Sequence, residues 1–461
     1  MADLRTTFAG VTSPNPFWLA SAPPTNSGAQ IHKAFEAGWG GAVWKTIGAP
    51  VLNVSNRYGA WHYGGQKMLA INNVELISDR PIETNLREVA DIKRHWPDRA
   101  VIVSAMVESS APAWCDIVHR IEDTGADAIE LNYGCPHGMS ERGMGSAVGQ
   151  VPEYCEKITR WVKEAARIPI IVKLTPNITN IVHPARAAVH AGADALSLIN
   201  TINSIVGVDL DTLEITPSIG GKGGHGGYAG PAVKPIALNM LSALGTDEIV
   251  ASSGLPISGM GGISTWQDAA EFLLLGATSL QVCTAVMHYG FRIIEDLCDG
   301  LSNWMDATGF ASLADLKGKA LHRISDFKNF DLAFRAVARI DNAKCIKCNL
   351  CYVACNDTAH QCIDLVSADG RVVEPLAYDV RSNGKQDAID SRPQPRVREE
   401  DCVGCRLCHN VCPVLGCIDM VELPPCQPSV TWDELSRNEP EVTENWEAMK
   451  RYRASRGIHI H

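Results

Sequence analysis

The chain has 461 residues, of which 46% are hydrophobic and 20% are charged, and its formal net charge is −11. This length predicts two or three domains, and an acidic balance without a basic run argues against nucleic acid or an anionic membrane as a partner. Residues 1–17 lack the apolar core of a secretory signal, and no apolar run could span a bilayer, so we expect a cytoplasmic location.

Short β-branched runs alternate with longer amphipathic runs between about residues 15 and 305. The predicted strands are residues 17–21, 42–46, 101–106, 128–133, 170–175, 195–201, 256–262 and 279–285. The predicted helices include residues 82–95, 112–124, 152–166, 184–190, 232–244 and 266–275. This alternation predicts an α/β fold, namely a (β/α)8 TIM barrel, and the alternative is a doubly wound sheet.

Polar residues stand at the ends of the predicted strands, where a barrel carries its chemistry. They are Ser21, Lys45, Asn132, Lys173, Asn200 and Thr284. Strand ends are commonly polar, but a lysine that ends a buried strand is costly unless it faces a cavity or an anion. The pattern therefore predicts a binding site at the barrel mouth.

Eleven of the sixteen cysteines lie between residues 345 and 426, and a reducing compartment disfavours disulfides between them. Eight form two runs of the same spacing, Cys345-x2-Cys348-x2-Cys351-x3-Cys355 and Cys402-x2-Cys405-x2-Cys408-x3-Cys412-Pro413. Bacterial two-cluster ferredoxins have this spacing, whereas zinc, the alternative, rarely uses two such runs. The runs predict a small α+β ferredoxin-like domain with two 4Fe–4S clusters.

In such domains the fourth cysteine of each run binds the other cluster. One cluster is therefore expected on Cys345, Cys348, Cys351 and Cys412, and the other on Cys402, Cys405, Cys408 and Cys355. We expect the barrel over residues 1–308, a connector over 309–340, the ferredoxin-like domain over 341–425 and a polar tail over 426–461. Since clusters move single electrons, a hydride-transferring flavin is expected beside them.

The strand at residues 128–133 continues into a glycine-rich loop that begins with Gly134 and Cys135. A single cysteine at a strand end is more commonly a small core residue. At a barrel mouth, however, its thiol can give a proton to a bound substrate, provided that it stays neutral and away from cations. We interpret Cys135 as a general acid and residues 136–149 as a lid.

Several segments resemble the FMN barrel of dihydropyrimidine dehydrogenases, which are related to dihydroorotate dehydrogenases. They are Leu19-Ala20-Ser21-Ala22, Trp44-Lys45-Thr46, the Asn-x-x-Cys-Pro-His-Gly-Met of residues 132–139, Lys173-Leu174-Thr175-Pro176-Asn177, Asn200-Thr201 and Gly261-Gly262-Ile263. The fused cysteine runs and Asn73-Val74-Glu75-Leu76-Ile77-Ser78 favour the pyrimidine enzymes. One departure is Gly134, where the family more often has serine.

The resemblance implies an FMN across the barrel mouth and a pyrimidine beside it. The implied FMN contacts are Ala20, Ser21, Lys45, Thr46, Asn132, Lys173 and Asn200, with backbone amides near Gly230, Gly261, Gly262, Cys283 and Thr284 for the phosphate. The implied pyrimidine contacts are Asn73, Glu75, Asn132, Asn200 and Thr201. Asparagine suits a ring that both donates and accepts hydrogen bonds, although each asparagine alone is as easily a surface or capping residue.

The implied reaction reduces uracil or thymine reversibly to the 5,6-dihydro form, with hydride passing from FMN to C6 and a proton from Cys135 to C5. The pattern Gly221-x-Gly223-x-x-Gly226 lacks the strand and helix of a dinucleotide site, so we interpret it as a loop. NAD(P)H and FAD are therefore expected on a partner subunit with iron–sulfur centres of its own. Related enzymes imply a heterotetramer built on a dimer of barrel chains.

Two other functions remain open from the sequence. Dihydroorotate oxidation would need a cation for the substrate carboxylate, and Glu75 argues against it. Alternatively, the chain is an electron-transfer subunit without catalysis of its own. The cysteines outside these assignments are interpreted as buried core residues, with backbone use at Cys283; they are Cys115, Cys155, Cys283, Cys298, Cys362, Cys417 and Cys426.

Overall fold

The computed structural model describes residues 2–135, 143–373, 392–424 and 428–455. The chain divides into a unit that ends at Arg323 and a unit that begins at Ile324. The predicted connector, residues 309–340, is thus divided between the two units. Among the described residues, none of the helices has the length and apolar character needed to cross a membrane.

The first unit is built on eight parallel strands that close into a barrel, which confirms the predicted fold class. The barrel strands are β3 (Phe17–Leu19), β4 (Gly41–Ile47), β7 (Ala100–Ala105), β8 (Ala128–Asn132), β9 (Ile170–Lys173), β10 (Ala195–Leu198), β15 (Ile257–Met260) and β16 (Ala277–Val282). Each overlaps one predicted strand. Most predictions run past the observed carboxyl end, because the chain stays extended for a few residues as it enters the loops of the mouth.

Helices surround the barrel, and all six predicted helices are present. They are α1 (Gly28–Ala37), α2 (Ile82–His95), α3 (Ala111–Glu122), α4 (Ser146–Gly149), α5 (Pro152–Ala165), α6 (Val182–His190), α7 (Lys234–Thr246), α8 (Glu248–Ser253), α9 (Trp266–Leu274), α10 (Thr284–Tyr289), α11 (Ile293–Thr308) and α12 (Leu313–Leu316). Local signals set their starts. The Ser110 side chain accepts a hydrogen bond from the Ala113 amide, and Thr265 and Asp268 form a capping box.

The barrel interior is apolar at its amino end. A hairpin of β1 (Thr6–Phe8) and β2 (Val11–Ser13) brings Phe8 against Trp18, with ring centroids 5.4 Å apart in an edge-to-face arrangement. These residues pack with small and aliphatic side chains from the early positions of the strands, such as Val43. This packing fills the amino end of the barrel, so an open site lies only toward the carboxyl ends.

Above this apolar layer the interior becomes polar. Glu130 is fully buried, and its Oε2 accepts hydrogen bonds from Ser197 Oγ at 2.9 Å and Gln281 Nε2 at 3.0 Å. Because β8 and β16 are not neighbours in the barrel, the bond from Gln281 crosses the interior. Gln281 Nε2 also lies 3.3 Å from Ser258 Oγ. The floor of the mouth is therefore a hydrogen-bonded polar layer.

A small antiparallel sheet is formed by the long insertions that follow β4 and β10, a feature that the sequence patterns did not predict. Its strands, in spatial order, are β11 (Ile202–Ser204), β14 (Gly226–Ala229), β6 (Gln66–Asn73) and β5 (Tyr58–Tyr63). A separate hairpin joins β12 (Gly207–Val208) to β13 (Ile215–Thr216). The glycine pattern at residues 221–226 leads into β14 and not into a helix, so it lacks the context of a dinucleotide site.

The second unit holds both cysteine runs between short strand pairs. Its strands are β17 (Ala336–Ile340), β18 (Ile363–Val366), β19 (Gln394–Val397) and β20 (Ile418–Glu422), with β17 antiparallel to β20 and β18 to β19. Its helices are α13 (Leu350–Asn356), α14 (Leu407–Val411), α15 (Trp432–Asn438), α16 (Pro440–Glu444) and α17 (Trp446–Ser455). The predicted polar tail thus contains three helices, and Leu435, Val442 and Ala448 are their buried residues.

Candidate active site

An open cleft of about 1140 Å³ lies at the carboxyl ends of the barrel strands. Every residue that we expected to contact FMN or pyrimidine lines it, together with Cys135. The structure therefore brings the whole predicted set to one place, as expected for a barrel whose loops carry the site. Side chains outside the predicted set also line the cleft, namely Tyr58, Ile71, Tyr228, Met260 and Gln281.

A chain of hydrogen bonds crosses the mouth from β3 toward β10. Thr46 Oγ1 lies 3.0 Å from Ser21 Oγ and accepts a bond from Asn132 Nδ2 at 2.9 Å. Asn132 Oδ1 in turn accepts from Asn200 Nδ2 at 3.0 Å. The next residue, Thr201, donates its backbone amide to Asn200 Oδ1 at 2.8 Å. These bonds fix the orientation of both asparagine amides.

Cys135 follows β8 directly and lies in an apolar part of the cleft. It is 7% exposed and packs with Ile77, Met106 and Met144. Its carbonyl oxygen accepts a hydrogen bond from the Ser146 amide at 3.1 Å, which ties the cysteine to the start of α4. Of the predicted lid, residues 136–142 lie outside the described part of the chain.

Each of the two lysines that end buried strands has a carboxylate partner. Lys173 Nζ lies 3.2 Å from Glu130 Oε1, inside the polar layer. Lys45 Nζ is bonded to Glu75 Oε1, and Glu75 Oε2 accepts a hydrogen bond from Tyr58 and forms an ion pair with Arg57. The carboxylates compensate the cost of burying these cations, and both ammonium groups remain at the cleft wall.

A cradle of small residues lies beyond the ends of β15 and β16. Gly261 and Gly262 both have left-handed backbones, with φ of +124° and +81°, which side chains rarely adopt. A Cβ at Gly262 would also lie only 2.9 Å from the carbonyl oxygen of Gly230. A Cβ at Gly230 would lie 3.5 Å from Thr284 Cγ2. Because these positions have no room for side chains, the backbone of Gly230, Gly261 and Gly262 faces the cleft there. Barrels commonly bind phosphate at this place.

Cys283 lies on the cleft wall within the fields of Lys173, Glu75 and Lys45. Removal from water raises the pKa of its thiol to about 12, although both lysines oppose that rise. Its sulfur contacts Met287 Sδ at 3.7 Å. The interpretation of Cys283 as a core residue is thus incomplete, because its thiol is part of the site.

In the second unit the eight cysteines of the two runs gather in two cavities. One is lined by Cys345, Cys348, Cys351 and Cys412, and the other by Cys402, Cys405, Cys408 and Cys355. Each cavity therefore has three thiols from one run and the fourth from the other, which is the grouping that the spacing predicted. Four converging thiols fit an iron–sulfur cubane.

The two runs have matching backbone conformations. Lys347 and Asn349 in the first run have positive φ, and Gly404 and Arg406 have it at the same offsets in the second. Left-handed residues at these points turn successive amides inward, as at Lys347, whose amide donates to Cys345 Sγ at 3.4 Å. Such amides stabilise the negative charge of a thiolate-bound cluster.

A fifth cysteine lies in each cavity, Cys362 in one and Cys417 in the other. Both are buried, as expected, but they contact the predicted ligands. Cys362 Sγ lies 3.5 Å from Cys355 Sγ. The spacing of the runs gives no signal for these two residues. Among the remaining cysteines, Cys155 is buried as expected, but Cys115 and Cys298 are only partly buried, and Cys426 lies outside the described residues.

Sequence reasoning also missed Glu130, Arg57 and Tyr58. Glu130 had a recognisable signal, because it is a charged residue between the apolar residues of β8 and so had to face the barrel interior. Arg57 and Tyr58 gave no such signal, since they belong to the insertion after β4 and meet Glu75 only through the small sheet.

Comparison with known families supports the architecture. Residues 3–305 match the family described as dihydroorotate dehydrogenase, and residues 344–415 match the 4Fe-4S dicluster domain. The subunit PreA of NAD-dependent dihydropyrimidine dehydrogenase from Escherichia coli strain K12 is 40% identical over 422 residues, covering 91% of this chain and 96% of the relative.

Two further relatives cover less of the chain. The chloroplastic dihydropyrimidine dehydrogenase (NADP(+)) of Arabidopsis thaliana is 38% identical over 75% of this chain and 83% of its own. The catalytic subunit of dihydroorotate dehydrogenase B (NAD(+)) from Methanothermobacter thermautotrophicus is 33% identical over 69% of this chain and 98% of its own. The chain is therefore an oxidoreductase of the flavin-dependent dihydroorotate dehydrogenase family, and its C-terminal 4Fe-4S dicluster domain groups it with the dihydropyrimidine dehydrogenases.

Proposed function

We propose that this chain reduces uracil or thymine to the 5,6-dihydro form, reversibly, at the barrel mouth. The observation that carries the proposal is one cleft that holds the thiol of Cys135 and the bonded amides of Asn132 and Asn200. A neutral proton donor and fixed amides are what the reduction of a flat, polar ring requires. The names of the relatives with the highest coverage support the same reaction.

The asparagines are suited to reading a pyrimidine. The ring offers two carbonyl acceptors and two N–H donors in one plane, and amide side chains can answer both kinds of group. Asn132 and Asn200 are held by each other, and Asn73 donates to the Gly227 carbonyl at 2.9 Å. Preformed orientation lowers the entropic cost of binding, so these residues would position the ring without rearrangement.

The same cleft fits FMN, which supplies hydride for C6 of the pyrimidine when bound. Lys173 would stand beside the electron-rich part of its ring and stabilise negative charge there. The backbone at Gly261, Gly262 and Thr284 would hold its phosphate. Ala20 and Ser21 would line the ring from β3. Cys135 would donate the proton to C5.

The two cysteine cavities would each hold a 4Fe–4S cluster, which supplies single-electron transfer between a distant donor and the flavin. The donor would be a partner subunit carrying FAD, iron–sulfur centres and the NAD(P)H site, in a heterotetramer built on two barrel chains. The Escherichia coli relative is named as a subunit of an NAD-dependent enzyme, which supports the presence of a partner subunit.

Anaerobic titration of the purified chain with dihydrouracil tests the proposal. We expect the flavin absorbance to bleach, because in the reverse direction dihydrouracil would lose hydride from C6 to the flavin and a proton from C5 to the thiolate form of Cys135. Intact flavin that does not bleach would contradict the proposal and favour a non-catalytic electron carrier. Bleaching by dihydroorotate alone would favour the other activity of the family.

A further inference from the structure

Glu75 holds two cations at the edge of the active-site cleft. Its Oε1 is bonded to Lys45 Nζ, and its Oε2 accepts a hydrogen bond from the Tyr58 hydroxyl at 2.9 Å and forms an ion pair with Arg57 Nε at 3.0 Å. The side chains of Glu75 and Lys45 are only 10% and 5% exposed. Burial and the neighbouring carboxylate raise the pKa of Tyr58, so its hydroxyl stays a donor.

Without Glu75, this part of the cleft would attract anions. The Lys45 ammonium lines the cleft and the Arg57 guanidinium lies behind it against Glu75, and cations removed from water need a partner. A carboxylate on a bound ligand is one such partner, and arginine recognises carboxylates especially well. Cations of the kind that dihydroorotate oxidation requires are therefore present, but they are already paired with the carboxylate of Glu75.

We propose that Glu75 is a built-in counter-ion that makes the cleft select neutral pyrimidines over pyrimidines carrying a carboxylate. A ligand carboxylate would have to compete with Glu75 for Lys45 and Arg57, and two carboxylates close together in a partly buried site repel each other strongly. Specificity of this kind rests on rejecting the wrong ligand as much as on binding the right one. The inference rests on the proposed binding of a pyrimidine in this cleft.

The first test uses the unmodified holoenzyme and three probes: uracil, uracil-6-carboxylate (orotate) and its neutral amide, uracil-6-carboxamide. Dissociation constants are measured by calorimetry and by perturbation of the flavin spectrum. We expect the amide to bind at least about tenfold more tightly than the carboxylate, since the two differ mainly in charge. Equal affinities would overturn the inference, whereas failure of uracil itself to bind would instead overturn the proposed function.

The second test uses Glu75→Gln, which keeps the shape of the side chain and removes its charge. We expect its affinity for orotate to rise about tenfold or more, in a manner that weakens with added salt. Adding Arg57→Gln should reverse most of the gain. Asp79→Asn removes an exposed carboxylate nearby in the sequence and should leave orotate affinity unchanged.

A Glu75→Gln protein with bound flavin but no gain in orotate affinity would contradict the inference. So would a gain of equal size in Asp79→Asn, because it would reflect net charge and not the position of Glu75. If Glu75→Gln fails to retain FMN, the comparison of carboxylate and amide in the unmodified protein still decides the matter.

Discussion

Asn200 donates its side-chain amide to Asn132 Oδ1 at 3.0 Å, although β9 separates the strands from which the two residues come. Asn132 Oδ1 also accepts from the backbone amide of Gly134 at 3.2 Å. Gly134 and Asn200 therefore bond to the same oxygen atom and lie next to each other. A Cβ at Gly134 would approach the Asn200 Cβ to 2.4 Å, which real side chains do not tolerate. The glycine at this position is therefore matched to the placement of Asn200.

Substituting Gly134→Ser should displace Asn200 and break its bond to Asn132. We expect the dissociation constant for uracil to rise by about tenfold, since one oriented amide is lost from the site. Calorimetric titration checks this. Gly207→Ser is the matched control, because a Cβ at Gly207 meets nothing within 4 Å. Unchanged uracil affinity in Gly134→Ser would show that Asn200 does not position the ring.

Removing the thiol of Cys135 should slow the reaction without altering the cofactors. In Cys135→Ala we expect turnover with uracil to fall by about 10²-fold or more, the usual contribution of a general acid. Flavin and iron content should equal those of the unmodified protein. Cys115→Ala, on α3, serves as the control thiol. Full activity in Cys135→Ala would exclude the proposed proton donor.

The buried pair of Lys173 and Glu130 should contribute to stability as well as to the site. Lys173→Met leaves the fully buried Glu130 without its cation, which should cost about 3–5 kcal/mol of the free energy of unfolding. The double variant Lys173→Met/Glu130→Gln should recover much of that loss. Lys163→Met, which breaks a half-buried pair with Asp194, should cost about 1 kcal/mol or less. Urea unfolding measures all three, and equal losses in the two lysine variants would refute the prediction.

Cys362 is placed to replace Cys355 as a cluster ligand, because the two sulfurs lie 3.5 Å apart in one cavity. We expect Cys355→Ala to retain nearly all iron and acid-labile sulfide, with a changed electron paramagnetic resonance signal. Cys355→Ala/Cys362→Ala should lose about half of both, which corresponds to one of two clusters. Loss of half the iron in the single variant would show that Cys362 cannot substitute.

Stability at acid pH should depend on Glu88, which joins α2 to the start of α1. Its carboxylate pairs with Arg80 and accepts the Gly28 amide at 2.8 Å, and the bond from Arg80 is the main cause of a pKa below the ordinary value of 4.5. A lowered pKa means that the stabilisation is complete above the ordinary value and is lost as pH falls through the folded-state value. Glu88→Gln should thus cost about 1 kcal/mol near neutral pH. Thermal unfolding should show the difference shrinking below pH 4.5, and a constant difference would contradict this account.

The barrel and the location of its site were predictable from the sequence. Eight buried strands gave clear apolar runs, and Lys45, Lys173 and Asn132 stood out as polar ends of those runs. The small sheet was not predictable in the same way. Its strands are partly exposed, and β6 pairs with β14 across more than a hundred residues, so no local pattern marks the pairing.

The partners of the site residues were the least predictable part. Asn73 and Glu75 were named from a local motif, but the contact of Glu75 with Arg57 depends on how the insertion after β4 folds back. The cysteine grouping was predictable because ligand spacing is a local property of each run. The fifth thiol of each cavity was not, since Cys362 and Cys417 stand at different offsets from their runs.

Each cavity takes its fourth thiol from the other run, and this limits how the second unit can be shortened. Each cavity has a wall from both halves of the second unit, so cutting the unit between Val373 and Arg392 and discarding either half would leave neither cavity with four thiols. A one-cluster version cannot be made by deletion. Removing one centre therefore takes substitution of individual thiols and not removal of a segment.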